Sequence, residues 1–369
     1  MTEPQAMTDE GRIVSVDALR GFDMFWIAGG GPVVVGLLKL LKDPVPGWLD
    51  RHFEHVEWEG FVAWDLIMPL FLFIVGVAMP LSLGRRLGLG EPRSRIYAKA
   101  LRRAVLLWIL GMISQGNLLD FRLETLRLYS NTLQAIAAGY LIATIALVEL
   151  SVMKQALAAG VLLVVYWLLM VMVPVPGQGA GVLTPDGNLA IWIDRTLLGH
   201  FQDGTHYTWI LSSLGFGATV LIGVLAGHLL RSRSSGRNKV LALVAAGLGC
   251  LLAGWLWSLA FPIIKHLWTS SMVLWAAGWS LLLLAMFYGV IDVLGFKRWA
   301  FPFRVIGANA IVAYMAPGLF NIGGISHHLF GGLSKHAGSA GDLLVAAGSV
   351  AILWCGLYYL FRKRTFVRV

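Results

Sequence analysis

The segment RHFEHVEWEG, residues 51 to 60, sets His52 and His55 among Glu54, Glu57 and Glu59, between two strongly apolar stretches. Imidazole titrates at about pH 6.5, so a histidine here is suited to act as a general base or as a nucleophile. The flanking Glu54 and Glu57 favour the imidazolium and can set the ring tautomer, while Trp58 offers an apolar wall and an N–H donor. Further along, Asp65 in WDLIMPLFLF can orient an imidazole or pair with an arginine. A loop histidine beside acids is, by composition alone, a solvated surface group, so its chemistry depends on what positions it.

What positions it is a membrane. Of 369 residues 57% are hydrophobic and only 13% charged, and the mean hydropathy is +0.73, the composition of an integral membrane protein. A bilayer core of about 30 Å needs about 20 apolar residues per helix. Ten stretches qualify, near 16–41, 60–83, 96–118, 131–150, 155–174, 208–230, 239–260, 271–292, 304–323 and 342–361. An open strand would leave backbone polar groups unpaired in lipid, so the fold class is all-α, a polytopic bundle of about ten transmembrane helices. Residues 1–369 read as one domain without internal repeat or soluble module, the longest loop being 175–207. The glycines and proline of GGGP, residues 29 to 32, fall near the centre of the first span and predict a break. That break serves either close helix packing or a cavity, and Gly223 and Gly227 in GVLAG predict close packing.

Charge orients the bundle. With the N-terminus cytoplasmic, one side collects twenty-one of the 29 Lys and Arg, so the positive-inside rule places both termini in the cytoplasm. Eight of the nine histidines, His55 among them, fall in the opposite, outward loops 42–59, 119–130, 175–207, 261–270 and 324–341. The formal charge of +9 is thereby explained by topology, and no nucleic-acid partner is called for. The acidic start, MTEPQAMTDE, has no basic n-region, so no removable signal peptide is expected. Cys250 and Cys355 lie far apart in apolar stretches and read as inert thiols. No spacing among His200, His206, His327 and His328 fits a ligand set, and no metal is expected.

A charge at the bilayer centre costs about 2.5 to 3.5 kcal/mol on insertion scales, so each needs a partner or a task. Asp17, Arg20 and Asp23, three residues apart, are expected on one helix face as an ion triad or in direct contact with a ligand. Asn131, Gln134 and Asn309 are amides on otherwise apolar faces, fit for interhelical hydrogen bonds or for a site.

Several stretches, in order from about residue 12 to residue 330, together resemble the heparan-α-glucosaminide N-acetyltransferase family of transmembrane acetyltransferases. They are RIVSVDALRGFDMF, HVEWEGFVAWDLIMPLFLFIVGVAMPLS, SNTLQAIAAGYL, IDRTLLG, FPIIKHLWTSSMVL and FPFRVIGANAIVAY, of which the second is the most specific. The resemblance implies transfer of acetyl from cytoplasmic acetyl-CoA to an amino sugar or glycan across the membrane, in a homodimer, and it matches the family's essential histidine to His55 and not to His52. The chain lacks the large luminal domain of the lysosomal members and looks like a compact form from a bacterial inner membrane, which leaves heparan itself open as acceptor. It also has IAGGGP where those members carry an active-site asparagine.

On this reading His55 is the base or acetyl carrier, Asp65 its partner, and Asn131 and Asn309 are oxyanion donors. The anionic nucleotide of CoA needs a basic mouth, for which Arg20, Arg102, Arg103 and Arg304 lie on the correct side, with Asn131 and Gln134 as further cofactor contacts. Lys265, in the outer IIKHLW, is stranded on the sparsely basic face and is a candidate for contact with substrate or cofactor. Two alternatives stay open: an O-acyltransferase of a cell-envelope glycan or lipid, and a transporter or flippase, which a broken first span would suit but the lack of intramembrane charge rows does not.

Overall fold

The computed structural model describes residues 13–42 and 44–367. Most of the N-terminal segment 1–15 and the basic Arg12 therefore lie outside the described residues. Among these residues there is no strand beyond two isolated antiparallel bridges, Glu59 with Ile264 and Val175 with Gly179. The protein is an all-α polytopic bundle, as its hydropathy dictates.

The first span is a broken rod: α1 (Val14–Phe25), a π-helical turn (Trp26–Gly30) and α2 (Gly31–Leu41). Its break falls at Gly29, whose φ of 110° only glycine adopts without strain. Packing explains the two glycines that follow. A Cβ on Gly30 would sit 2.3 Å from the Phe25 ring, and one on Gly31 2.5 Å from the indole of Trp64. After the short α3 (Gly47–Asp50) come α4 (Ile67–Gly88), α5 (Arg93–Gln115), α6 (Thr132–Glu149) and α7 (Val152–Met172). Next are α8 (Leu189–Leu198), α9 (Ser213–Arg231), α10 (Gly236–Ser258) and α11 (Ser270–Tyr288). The chain ends with α12 (Phe301–Ala308), α13 (Ala310–Leu319), α14 (Ile322–Ser334) and α15 (Gly341–Arg362).

Helix α4 forms the axis, packed against α9, α6, α1 and α11. Its crossing with α9 is close because a Cβ on Gly76 would stand 2.0 Å from the Val220 carbonyl oxygen, and one on Gly223 2.1 Å from that of Phe73. Gly227 repeats this one turn on, 2.4 Å from the Val77 oxygen. Peripheral α10, by contrast, turns Leu241, Leu248, Leu252 and Leu256 outward, the apolar coat that lipid requires.

Three features refine the sequence reading. Eight helices among the described residues, or nine if α12 and α13 count as one bent span, are long and apolar enough to cross a membrane. The tenth expected span is α5, which has the length to cross at 23 residues but carries Arg93, Arg95, Lys99, Arg102 and Arg103 in its first half and so reads as less apolar. The stretch 304–323 is not straight: its helices meet at 65° around Asn309, whose backbone leaves the helical region. There the Asn309 amide donates to the Thr365 carbonyl at 3.2 Å and accepts from the Val367 N–H at 2.9 Å, so the side chain serves the C-terminal segment. Finally, the loop 175–207 contains α8, whose Asp194 accepts the Trp209 and Ile210 N–H groups at 2.7 and 3.0 Å and pins the loop to the entry of α9.

Candidate active site

The site is built where the connection into α4 meets the connection between α10 and α11. Gly60, at a φ of 122°, donates its N–H to the Ile263 carbonyl at 2.9 Å beside the Glu59–Ile264 bridge, joining the two segments backbone to backbone. The FPIIKHLWT segment is unusually well tied for a loop. Pro262 O accepts from Thr269 and Ser271, Ile264 O from the Thr269 N–H, and Lys265 O from the Trp268 N–H. His266 O accepts from Thr208, and Leu267 O from Tyr166 and Ser212. Every carbonyl from 262 to 267 is thus satisfied, so the loop behaves as a rigid shelf.

Three side chains converge on that junction. His55 Nδ1 lies 2.7 Å from Asp65 Oδ1. A carboxylate only accepts, so Nδ1 carries the hydrogen and Nε2 of a neutral ring keeps its lone pair. Asp65, 1% exposed at the start of the second span, also accepts the Val62 N–H at Oδ2, 3.1 Å away. Lys265, 7% exposed, brings Nζ to 3.3 Å from Asp65 Oδ1 and 3.1 Å from His55 Nδ1. Burial pushes the Lys265 ammonium below its ordinary value, and the Asp65 charge opposes this. The His55 side chain is 45% exposed and lines a cleft of about 430 Å³ with Arg51, His52, Glu54, Val56, Phe61 and Val62. Its ring therefore has one nitrogen anchored on a buried carboxylate and lies at an open cleft.

Aromatic rings close the surroundings. Trp64 lies 6.5 Å from the His55 ring and 6.3 Å from Trp26 of the broken turn, centroid to centroid. On the other side His266 stacks on Trp58 at 5.3 Å and meets Tyr207 at 4.2 Å. Burial, then the neighbouring Lys265 charge, lowers His266 to about 4. Trp58 donates its indole N–H to the Leu183 carbonyl at 2.9 Å, so it braces the 175–207 loop and does not turn to His55. His52 accepts the Ala63 N–H at Nδ1, 3.3 Å away, which stabilises the turn into α4.

Other residues singled out from the sequence lie elsewhere. Asn131 caps α6, its Oδ1 accepting from the Leu133 and Gln134 N–H groups, while its Nδ2 donates to Gly111 O at 2.6 Å. Gln134 bridges the Ser130 N–H and the Leu128 carbonyl at 2.8 and 2.6 Å. With Asn309 on the C-terminal segment, the polar atoms of these three amides serve the backbone, and they do not join His55. Arg20 lies just past the middle of α1, Arg102 and Arg103 in the first half of α5 and Arg304 in the first half of α12, and none of the four is among the residues that line the His55 cleft. Arg20 lies 3.4 Å from Asp17, and Arg103 stacks over Tyr140 at 4.5 Å. Asp23 does not complete the expected triad: steps of three residues turn 300° around a helix, which rotates it into the bundle, where its oxygens have no hydrogen-bond partner among the described residues. His266 and Trp64 received no role from the sequence, and the one available signal was their adjacency to Lys265 and Asp65. No group of three or more His, Cys, Asp or Glu among the described residues is placed to hold a metal ion.

No family model matches the chain. Two curated proteins do. Heparan-alpha-glucosaminide N-acetyltransferase of Homo sapiens is 25% identical over 421 aligned positions, covering 97% of this chain and 60% of its own length. The protein of the same name from Mus musculus is 25% identical over 326 positions, covering 72% of this chain and 49% of its own length. The chain thus spans between half and three fifths of the relatives it matches, and the matched part takes in the His55–Asp65–Lys265 junction in the human case, where nearly the whole chain aligns. The polytopic chain is thus similar, at 25% identity, to two heparan-alpha-glucosaminide N-acetyltransferases.

Proposed function

We propose that the protein is a membrane-embedded acetyltransferase that moves the acetyl group of acetyl-CoA to the amine of an amino sugar or glycan, with His55 at the centre of the reaction. The observation that carries this reading is the 2.7 Å contact between His55 Nδ1 and the buried Asp65, which leaves Nε2 as the reactive nitrogen at the cleft. The relatives' names specify a glucosaminide amine as acetyl acceptor, in keeping with a site that needs a base.

Two routes use the same residues. In direct transfer, Nε2 takes a proton from the acceptor ammonium, the freed nitrogen attacks the thioester carbonyl, and the carbon–sulfur bond breaks to release CoA, whose thiolate takes up a proton. In the carrier route, Nε2 attacks the carbonyl first, CoA leaves, and the acceptor amine then displaces the imidazole from the acetyl carbon. In both, Asp65 holds the ring in one tautomer. We place the basic end of the bundle in the cytoplasm, where Arg20, Arg102, Arg103 and Arg304 offer charge to the nucleotide phosphates, and the His55 cleft on the outer side.

The test is release of CoA by detergent-purified protein given acetyl-CoA, with glucosamine present or absent, together with mass spectrometry of the peptide around His55. Wild type is expected to release CoA and form acetylated sugar, and His55→Ala to lose both while staying monodisperse. A fully active His55→Ala protein overturns the assignment. A hydroxyl acceptor used in preference to an amine makes the protein an O-acyltransferase, and uptake of unmodified substrate by proteoliposomes makes it a transporter.

A further inference from the structure

We infer that Lys265 is a positioning residue that divides the two effects of Asp65 on His55, keeping its hold on the tautomer while cancelling its charge. The inference rests on the acetyltransferase reading and deepens it.

A carboxylate beside an imidazole does two things at once. It orients the ring, and it raises the ring's affinity for a proton. The first serves a base or an acyl carrier. The second works against it, because a ring already protonated at neutral pH can neither accept a proton nor attack a carbonyl. Here the lone anion has its cation built in: Lys265 Nζ is 3.3 Å from the same Oδ1 that accepts from His55, and 3.1 Å from His55 Nδ1 itself. With Nδ1 carrying a hydrogen toward Asp65, the ammonium and the ring nitrogen are both donors, so their 3.1 Å approach is no hydrogen bond and repels the imidazolium directly. The Asp65–Lys265 pair is electrically neutral and buried on both sides, its side chains 2% and 8% exposed. Next to a neutral pair, the His55 ring keeps its orientation toward Asp65 without an unbalanced charge beneath it.

The fold commits structure to this contact. Lys265 is reached from a segment 200 residues away in sequence from Asp65. Its backbone is fixed by the Glu59–Ile264 bridge and by a run of satisfied carbonyls, so the side chain starts from a set point beside Asp65, where it is 7% exposed. The other groups that face the ring are accounted for. On its own segment these are Arg51, His52 and Glu54 at the cleft. From the packed loops they are His266, which stacks away on Trp58, and His206 and Tyr207 beside it. None of these touches Asp65 Oδ1 as Lys265 does.

The test is the pH profile of CoA release for four proteins: wild type, Lys265→Met, Lys265→Arg, and the double variant Asp65→Asn with Lys265→Met. The acceptor's own titration is common to all four and drops out of the comparison. Lys265→Met removes a like charge within contact of the ring, and the acidic limb is expected to move up by about 1 to 2 pH units, with rates converging at high pH. Lys265→Arg keeps the charge and is expected to keep the limb near its original place. The double variant restores neutrality with no buried unpaired charge, and its limb is expected to return toward wild type. A Lys265→Met protein that is slower by the same factor at every pH, or a double variant with the same limb as Lys265→Met, overturns the inference. Wild type without CoA release overturns the underlying acetyltransferase reading, which is a separate outcome.

Discussion

Replacing Asp65 by Asn is the most informative single perturbation, because the shapes are nearly identical and only charge and one acceptor change. Asp65 receives three donors: the His55 ring at 2.7 Å, the Val62 N–H at 3.1 Å and the Lys265 ammonium at 3.3 Å. An amide has one acceptor oxygen. If it faces His55, its NH₂ confronts the Val62 N–H, donor against donor, leaving a buried donor unpaired at a cost of about 1 to 3 kcal/mol. If it flips to serve Val62, its NH₂ donates to Nδ1 and drives the ring hydrogen to Nε2, so the reactive nitrogen is blocked. Lys265 meanwhile loses its counter-charge, and breaking a buried pair from one side costs about 3 to 5 kcal/mol.

Turnover of Asp65→Asn, measured as initial rates of CoA thiol release, is therefore expected to fall about 10²- to 10⁴-fold, the usual worth of a positioned base. That loss corresponds to about 2.7 to 5.4 kcal/mol in the barrier. Thermal unfolding of the detergent-solubilised variant should shift down by several degrees, and Lys265→Met added to it should recover part of the loss by removing the stranded charge. Rates within fivefold of wild type, with an unchanged unfolding midpoint, would refute the reasoning from the donor set onward.

Two further outcomes follow from the same geometry. Gly223→Ala puts a methyl group 2.1 Å from the Phe73 carbonyl at the α4–α9 crossing, and overpacking there should destabilise by about 1 to 3 kcal/mol, read as a lower unfolding midpoint in detergent. His266 is lowered from 6.5 to about 4, so the unfolded chain binds its proton first as pH falls. Stability contributed by keeping it neutral is full above about pH 6.5 and is lost on acidification toward about pH 4. His266→Phe keeps the ring between Trp58 and Tyr207 and should flatten that part of the stability–pH curve; an unchanged curve would show that another group sets it.

The resemblance read from six short motifs extends over nearly the whole chain in the human relative, yet the parts of the site were unequally legible. His55 and Asp65 stood out because they lie ten residues apart on one local segment, where a loop entering a helix can bring them together without help from the rest of the chain. Lys265 was visible only as an anomaly, a cation on the sparsely basic side. Its partners could not be read, since a contact between residues 200 apart depends on how α4, α10 and α11 pack.

Sequence alone determined the membrane class, the order and approximate limits of the spans and a break within residues 29 to 32, because hydropathy, charge and glycine content act locally or through lipid. Tertiary structure alone decided which polar groups meet. Asn131, Gln134 and Asn309 looked as fit for a site as Asp65 did, and all three serve backbone groups instead, because a buried amide bonds to whatever unpaired donor or acceptor the packing brings within reach. The neutral Asp65–Lys265 pair beneath His55 exists for the same reason: two distant loops are held edge to edge, and a buried charge must find its opposite there.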